Sequence, residues 1–215
     1  MFKSLDMETQ KRLIKFALEN DASRRRWHIT RLSMYRKLKN LLSDFDSPNK
    51  KCLCISKSTA LAKLLGIRAS ELVEANYPEF DIIDLPFENS SFDFCVSDQV
   101  LEHVEGNPFT AVSECYRAVK PGGIVAHTTC FINAIHGVPK DFWRFTPEAL
   151  KLLHRQNPGE VIECDGWGNR EAWAYISLGF RGEKIPENEN NPIFQLALKT
   201  EKKWPIVTWI IYRKL

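Results

Sequence analysis

The side chains of this sequence that can do chemistry are concentrated in a few short stretches. His136, Lys140, Asp141, Trp143 and Arg144 fall within nine residues of one another. An imidazole that titrates near neutrality can take a proton from a hydroxyl or an amine. A carboxylate accepts from hydroxyls, a guanidinium pairs an anion, and an indole face stacks on a sugar or another planar ring. Asp141, Trp143 and Arg144 therefore read as a recognition set for a substrate, with His136 the first candidate for a base. A structured lid that packs Phe142, Trp143 and Phe145 under a sheet edge accounts for the same residues without chemistry, and both readings stand. His103 reads either as a second base or as a brace at a helix start. His127 lies inside an apolar run and reads as core, while His28 and His154 fall on predicted helices and carry no assigned role.

These residues need elements to hold them. From residue 51 onward, short apolar runs alternate with helical stretches. The runs CLCIS (52–56), ELVEA (71–75), FDII (80–83), FDFCVS (92–97) and IVAHTTCF (124–131) read as strands. STALAKLL (58–65) reads as a helix closed by Gly66. Asn107-Pro108 supplies an N-cap and a first-turn proline for the helix FTAVSECYRAV, and Thr146-Pro147-Glu148 opens another that runs to about Gln156. Pro121-Gly122-Gly123 reads as a tight turn. This alternation predicts an α/β fold: a doubly wound, Rossmann-like, mostly parallel sheet with helices on both faces. Ligands of such sheets sit beyond the carboxyl ends of the strands, where strand order reverses. Ser56, Lys57, Ser58, Glu74, Asp81, Ile82, Leu85, Ser97 and Gln99 lie just after predicted strands or at their ends.

At the N-terminal end, residues 7–20 and 23–45 read as two helices, the second with Ile29, Leu32, Tyr35, Leu38, Leu42 and Phe45 on one stripe. Arg24-Arg25-Arg26 reads as a solvated face or as a grip on phosphate. GEKIPENENNP (182–192) reads as a polar loop, and FQLALK with WPIVTWIIYRK as a hairpin at the sheet edge. The predicted organisation is a basic helical extension over 1–49 and an α/β domain over 50–215.

Composition bounds the reading. With 215 residues, 44% hydrophobic and 27% charged, the chain has the make-up of a globular protein and not of a disordered, collagenous or disulfide-dense one. The formal charge of +3 divides unevenly, with a surplus of +6 in residues 1–50 and −3 in the remainder. That balance argues against a nucleic-acid partner. The six cysteines include no CxxC pair and sit largely in apolar runs, which predicts reduced, buried thiols, no metal set and a cytoplasmic location. No apolar stretch is long enough for a membrane span. The N-terminal helices are the expected surface for a homodimer or a partner protein.

The segment DIIDLPFENSSFDFCVSDQVLEHVEGNPFTAVSECYRAVKPGGIVAHTT (81–129) resembles the core of class I S-adenosylmethionine-dependent methyltransferases, above all the small-molecule branch. It carries, in order, acidic-x-x-Asp-Leu-Pro-Phe, Ser-Phe-Asp, Leu-Glu-His-Val and Val-Lys-Pro-Gly-Gly. HGVPKDFWRFTPEAL (136–150), GWGNREAW and WPIVTWIIYRK resemble a subgroup associated with glycan and surface-polymer pathways, so the resemblance spans about residues 50–215. It implies S-adenosylmethionine as cofactor. Asp81 would accept from the adenine amino group, with Ile82 against the ring and Leu85 and Phe87 walling the pocket. Glu74 would take the ribose hydroxyls, Ser97 to Gln99 would lie beside the methionine portion, and Glu102 and His103 would stand at the rim.

One family element is degenerate. Where an acidic residue and a glycine-rich turn are expected, the chain reads Cys54-Ile55-Ser56-Lys57-Ser58-Thr59-Ala60. Each positive-φ position there would cost a side-chain-bearing residue on the order of 1 kcal/mol. Lys57 could pair with the cofactor carboxylate, and Ser56 and Ser58 are small enough for partial approach. The implied activity is methyl transfer to oxygen or nitrogen of a small-molecule or glycan-type acceptor, with His136 or His103 as base. The alternative is a catalytically inactive fold serving as a binding module or partner subunit, which the missing glycines favour. An RNA-directed enzyme using the basic stretch from Arg24 to Lys39 is a third reading, which the near-neutral remainder disfavours.

Overall fold

The computed structural model describes residues 5–42, 49–64, 67, 71–137 and 139–215. In chain order the elements are α1 (Met7–Glu19), β1 (Arg25–His28), α2 (Ile29–Leu42), β2 (Lys51–Ile55), α3 (Thr59–Leu64), β3 (Glu71–Ala75) and β4 (Phe92–Asp98). There follow α4 (Pro108–Ala118), β5 (Val119–Cys130), α5 (Pro147–His154), β6 (Gly159–Trp167), α6 (Arg170–Tyr175), β7 (Lys184–Pro186), α7 (Pro192–Leu198) and β8 (Val207–Lys214). The chain divides into two compact units that are interleaved in sequence. One combines the described part of Met1–Arg36 with Trp167–Ile206, the other Lys37–Gly166 with Val207–Leu215. The sequence reading instead places its boundary at 49/50.

The second unit is built on a six-stranded sheet in the order β3-β2-β4-β5-β8-β6. β2 pairs in parallel with both β3 and β4, β4 pairs in parallel with β5, and β8 runs antiparallel to β5. Strand order reverses between β2 and β4, so the switch point lies beyond Ile55 and Asp98. Cys52 to Ile55 are all buried, as a central parallel strand covered on both faces requires. Leu53, Cys95, Val112, Val125, Leu150 and Ile210 belong to the main core cluster.

Local signals act as expected in α4. Asn107 Oδ1 accepts the Phe109 amide at 2.9 Å, Pro108 occupies the first turn, and Ala111, Val112, Cys115 and Ala118 form the buried stripe. Pro121-Gly122-Gly123 forms a bulge inside β5, where the register moves from Phe92 opposite Val119 to Phe94 opposite Ile124. Gly122 has φ +78°, and a Cβ on Gly123 would fall 2.7 Å from the Asp93 carbonyl oxygen. All six cysteines are described, none forms a disulfide, and five are buried.

Several expectations are corrected. FDII is not a strand: Asp81 and Asp84 form an isolated bridge, and Asp81 Oδ1 accepts the Ile83 amide at 3.1 Å. FQLALK lies in helix α7, capped by Asn191, so there is no hairpin with β8. β8 is internal, and the edge strand β6 has no counterpart in the sequence reading. The predicted helix 23–45 begins only at Ile29, because Arg25–His28 pairs antiparallel with β7 inside the predicted polar loop. Phe45 and Gly66 lie outside the described residues.

In the first unit the basic run is partly engaged. The Arg25 guanidinium donates to the carbonyls of Leu18 and Asp21, and Arg26 lies over the Trp27 ring. His28 sits at the end of a strand, not on a helix. Among the described residues, no helix is long and apolar enough to cross a membrane.

Candidate active site

The turn after β2 keeps a glycine-type path without glycine. Ser56 and Lys57 both adopt left-handed backbone, at φ 47° and 65°. Neighbours over-determine this shape: the Ser56 amide donates to Ala75 O at 2.8 Å and the Lys57 amide to Asn76 Oδ1 at 2.6 Å. Asn76 in turn donates to Glu74 Oε2 at 3.0 Å. The Ser58 hydroxyl donates to Ile55 O and accepts the Asp98 amide at 2.9 Å, linking the ends of β2 and β4. Glu74 and Lys57 are both exposed, and Glu74 Oε1 has no hydrogen-bond partner among the described residues.

The segment after β3 is held from α4. Arg117 donates to the carbonyls of Leu85 (2.8 Å) and Phe87 (2.6 Å), while Glu114 accepts the Leu85 amide at 3.0 Å. Arg117 holds the Glu114 carboxyl below its ordinary value. This clamp leaves Asp81 exposed and Ile82 and Leu85 buried.

At the end of β4 the residues part ways. Ser97 is fully buried, with its hydroxyl 2.7 Å from His127 Nδ1, so its side chain belongs to the core layer. Gln99 is left-handed at φ 58°, and its amide donates to Thr128 O at 2.9 Å. Asp98, within the predicted stretch Ser97 to Gln99, accepts from the Thr128 hydroxyl at 2.6 Å and stands at the switch point. Burial pushes His127 down to about 4, in keeping with its reading as core.

The loop after β5 folds over the turn that follows β4. Glu102 O accepts the amides of Phe142 (2.8 Å) and Trp143 (3.1 Å), and Trp143 Nε1 donates to Val104 O at 2.9 Å. His103 Nδ1 lies 2.5 Å from Lys140 O, and the His103 and His136 rings are 5.0 Å apart. The His136 amide donates to Asp141 Oδ2 at 2.8 Å, and the same oxygen lies 3.1 Å from His136 Nδ1. Asn133 Nδ2 is 3.0 Å from that ring nitrogen.

Arg144 grips Asp141 with both terminal nitrogens, at 2.5 and 2.7 Å. It therefore holds the Asp141 carboxyl well below the usual carboxylate range. Only 2% of the Asp141 side chain is exposed, so this pair organises the loop and its groups are committed to each other. Trp143, 38% exposed and stacked 6.2 Å from Phe145, keeps one face available. The fold thus brings His103, His136, Asp141 and Arg144 to one place at the carboxyl end of the sheet.

Glu102 is not at the rim. It is wholly buried, accepts from the Thr129 hydroxyl at 2.8 Å, and burial raises its carboxyl above the ordinary value. Among the described residues its Oε1 has no partner. Glu102, Cys130 and His136 each bring a ligand-type atom to within 4.8 Å of the others. The sequence carries no sign of this cluster, because its members come from three separate segments.

Comparison with known proteins bears on the same elements. Residues 39–127, from α2 into β5, match the family model described as methyltransferase domain. Over these residues the chain is similar to a methyltransferase domain. Over 96 residues the chain is 36% identical to the biotin biosynthesis bifunctional protein BioHC of Teredinibacter turnerae, a stretch covering 43% of this chain and 16% of that protein. The chain spans less than half the length of the curated relatives it matches, from 16% to 40%.

Among solved structures, an S-adenosylmethionine dependent methyltransferase from Mesorhizobium loti is similar with a TM-score of 0.55 at 13% identity, covering 85% of this chain and 98% of that one. Phosphoethanolamine N-methyltransferase 2 of Haemonchus contortus, solved in complex with S-adenosyl-L-methionine, gives 0.54 at 13% identity, covering 86% and 56%. At such identity the likeness is one of fold.

S-adenosyl-L-methionine is the ligand of the Haemonchus contortus structure, and the residues at the strand ends of this chain are of types that fit it. An exposed carboxylate with an open oxygen (Glu74) suits a ribose diol, and Asp81 supplies an acceptor for an amino group. The exposed Lys57 offers a cation to a carboxylate, and the left-handed turn preserves the backbone path that glycines normally secure. Cys54 is buried, so no acid acts from that position.

Proposed function

We propose that this chain transfers a methyl group from S-adenosylmethionine to an oxygen or nitrogen of a small-molecule or glycan-type acceptor. The observation that carries the reading is the left-handed backbone at Ser56 and Lys57. Loss of the glycines is the main argument for an inactive fold, and the backbone adopts their path without them. When bound, the cofactor supplies a sulfonium-activated methyl whose leaving group is neutral, so positioning contributes most of the acceleration.

Glu74, Asp81 and Lys57 bind and orient the cofactor, and Ile82 and Leu85 back the pocket. His136 takes the acceptor proton, since the Asp141 carboxylate 3.1 Å from Nδ1 stabilises the imidazolium that results. His103, 5.0 Å away ring to ring, is the second candidate. The open face of Trp143 stacks on the acceptor, with Asp141 and Arg144 shaping the loop that presents it. The basic residues 1–49 contribute to acceptor recognition or to contact with a second copy or partner protein, and the reduced cysteines suit a cytoplasmic setting.

Calorimetric titration of the full chain with S-adenosylmethionine and S-adenosylhomocysteine tests the reading. Saturable binding weakened by Asp81→Ala and Glu74→Ala is the expected result. Failure of the wild type to bind either compound overturns it. Binding without turnover on any hydroxyl or amine acceptor would instead support the binding-module alternative.

A further inference from the structure

We infer that Glu102, Cys130 and His136 form a divalent-cation site of the zinc class at the carboxyl end of β5. A buried thiol, an imidazole and a buried carboxylate converge with their ligand-type atoms all within 4.8 Å of one another. Tetrahedral zinc, with bonds of about 2.0–2.3 Å, needs ligand atoms roughly 3.3–3.8 Å apart, so the three would close by up to about 1.5 Å. An independent observation points to a missing ligand. Glu102 is 0% exposed, and among the described residues its Oε1 has no hydrogen-bond partner. A buried carboxylate oxygen left so is costly, and a cation is the simplest group to satisfy it.

The surroundings have the form that metal ligands commonly show. The Thr129 hydroxyl holds the other Glu102 oxygen at 2.8 Å, which orients the carboxylate. Asp141 accepts the His136 amide at 2.8 Å and lies 3.1 Å from its ring nitrogen, fixing the imidazole. The backbone is pinned as well, since Glu102 O accepts the amides of Phe142 and Trp143 and thereby ties the His136 loop to the Glu102 turn.

Ligand type selects the ion. A thiolate disfavours magnesium and calcium, and a thiolate, an imidazole and a carboxylate together suit zinc. On binding, the Cys130 thiol releases its proton to solvent, and the thiolate together with the Glu102 carboxylate supplies two negative charges that neutralise the ion. Three protein ligands leave a fourth position open, the arrangement of zinc sites that bind an exchangeable oxygen or sulfur. A hydroxyl or thiol is the class of ligand it would take. With the ion in place the His136 lone pair is committed to it, and activation of a hydroxyl passes from the imidazole to the metal.

The inference goes beyond the methyl-transfer reading, and its test uses no methyl donor. Full-length chain stripped by chelator is titrated with Co²⁺ under reducing conditions, and the sulfur-to-cobalt charge-transfer absorption is followed. A stoichiometric band that Zn²⁺ abolishes is expected. Cys130→Ser should lose the band entirely, and His136→Asn and Glu102→Gln should weaken affinity by more than about 10-fold, which is the loss seen when even an outer partner is removed. Metal-free melting curves establish that each variant is folded. Should Glu102→Gln fail to fold, Cys130→Ser and His136→Asn carry the test. No band at millimolar Co²⁺, or a band that Cys130→Ser retains, overturns the site.

Discussion

The left-handed turn at Ser56-Lys57 makes a quantitative prediction about stability. A side-chain-bearing residue at φ 65° carries roughly 1–2 kcal/mol of strain. Replacing Lys57 by glycine removes that strain and costs about 0.5–1 kcal/mol in added freedom of the unfolded chain. The balance is a gain of about 0.5–1 kcal/mol, or about 1–4 °C in Tm for a chain of this size. The Lys57 amide would keep its bond to Asn76 Oδ1, because that contact belongs to the backbone. Lys57→Val should act in the opposite sense, lowering stability by about 1 kcal/mol or more, since a β-branched residue tolerates positive φ least. Ser90, at φ 56° in a different loop, is the control: Ser90→Gly should also stabilise. Urea unfolding with shared m-values reads all three. A Lys57→Gly variant less stable than wild type, or a Lys57→Val variant equal to it, would refute the reasoning. The exposed ammonium contributes at most about 1 kcal/mol to an ion pair, so cofactor affinity in Lys57→Gly should fall by no more than about 5-fold.

Other predictions address the loop, the core and the cofactor ends. Arg144→Ala leaves the nearly buried Asp141 carboxylate unpaired and should cost about 3 kcal/mol in urea unfolding; Asp141→Asn in the same background should recover part of it. His127 is held neutral with its value pushed down to about 4, against about 6.5 when unfolded. Below pH 6.5 the unfolded chain therefore binds the extra proton, and stability falls by up to about 3 kcal/mol as pH drops toward 4. Denaturant midpoints between pH 7 and 4.5 should show this decline, and His127→Gln should make it shallower, with His28 and His154, also lowered by burial, carrying the remainder. Asp81→Ala and Glu74→Ala should each weaken S-adenosylmethionine binding by roughly 10–100-fold, the worth of hydrogen bonds to a charged group. Equal affinity in the calorimeter would remove those two residues from the pocket.

How far the sequence was legible depended on where the signal resides. Strands β2, β4 and the second half of β5 are near-continuous apolar runs, and burial on both faces leaves such runs little alternative. Asn107-Pro108 and Thr146-Pro147 announce their helices through local caps. Asn191-Pro192 offers the same signal for α7, yet the short apolar run FQLALK suggests a strand when read for periodicity alone. β6 mixes carboxylates with apolar residues without strict alternation and begins with glycine, so this partly exposed edge strand looks like a loop. β1 exists only because β7, more than 150 residues further on, supplies its partner. In the site, chemistry-bearing residue types were visible, but their commitments were not. Asp141 and Arg144 hold each other within one loop whose path the sequence does not specify, and the burial of Glu102 among Thr129, Cys130 and His136 follows from contacts between segments.

The position of β8 bears on the order in which the molecule can assemble. It comes after every other strand in the chain, yet it fills the slot between β5 and β6. Until it arrives, both neighbours present unpaired edges, and the apolar row from Val207 to Tyr212 has no sheet to enter. Such edges recruit other strands, and late pairing across a long sequence separation is slow. During synthesis the parallel half from β2 to β5 can form first, whereas completion waits for the final insertion. A growing chain stalled before residue 207 would therefore be the species most in need of a chaperone.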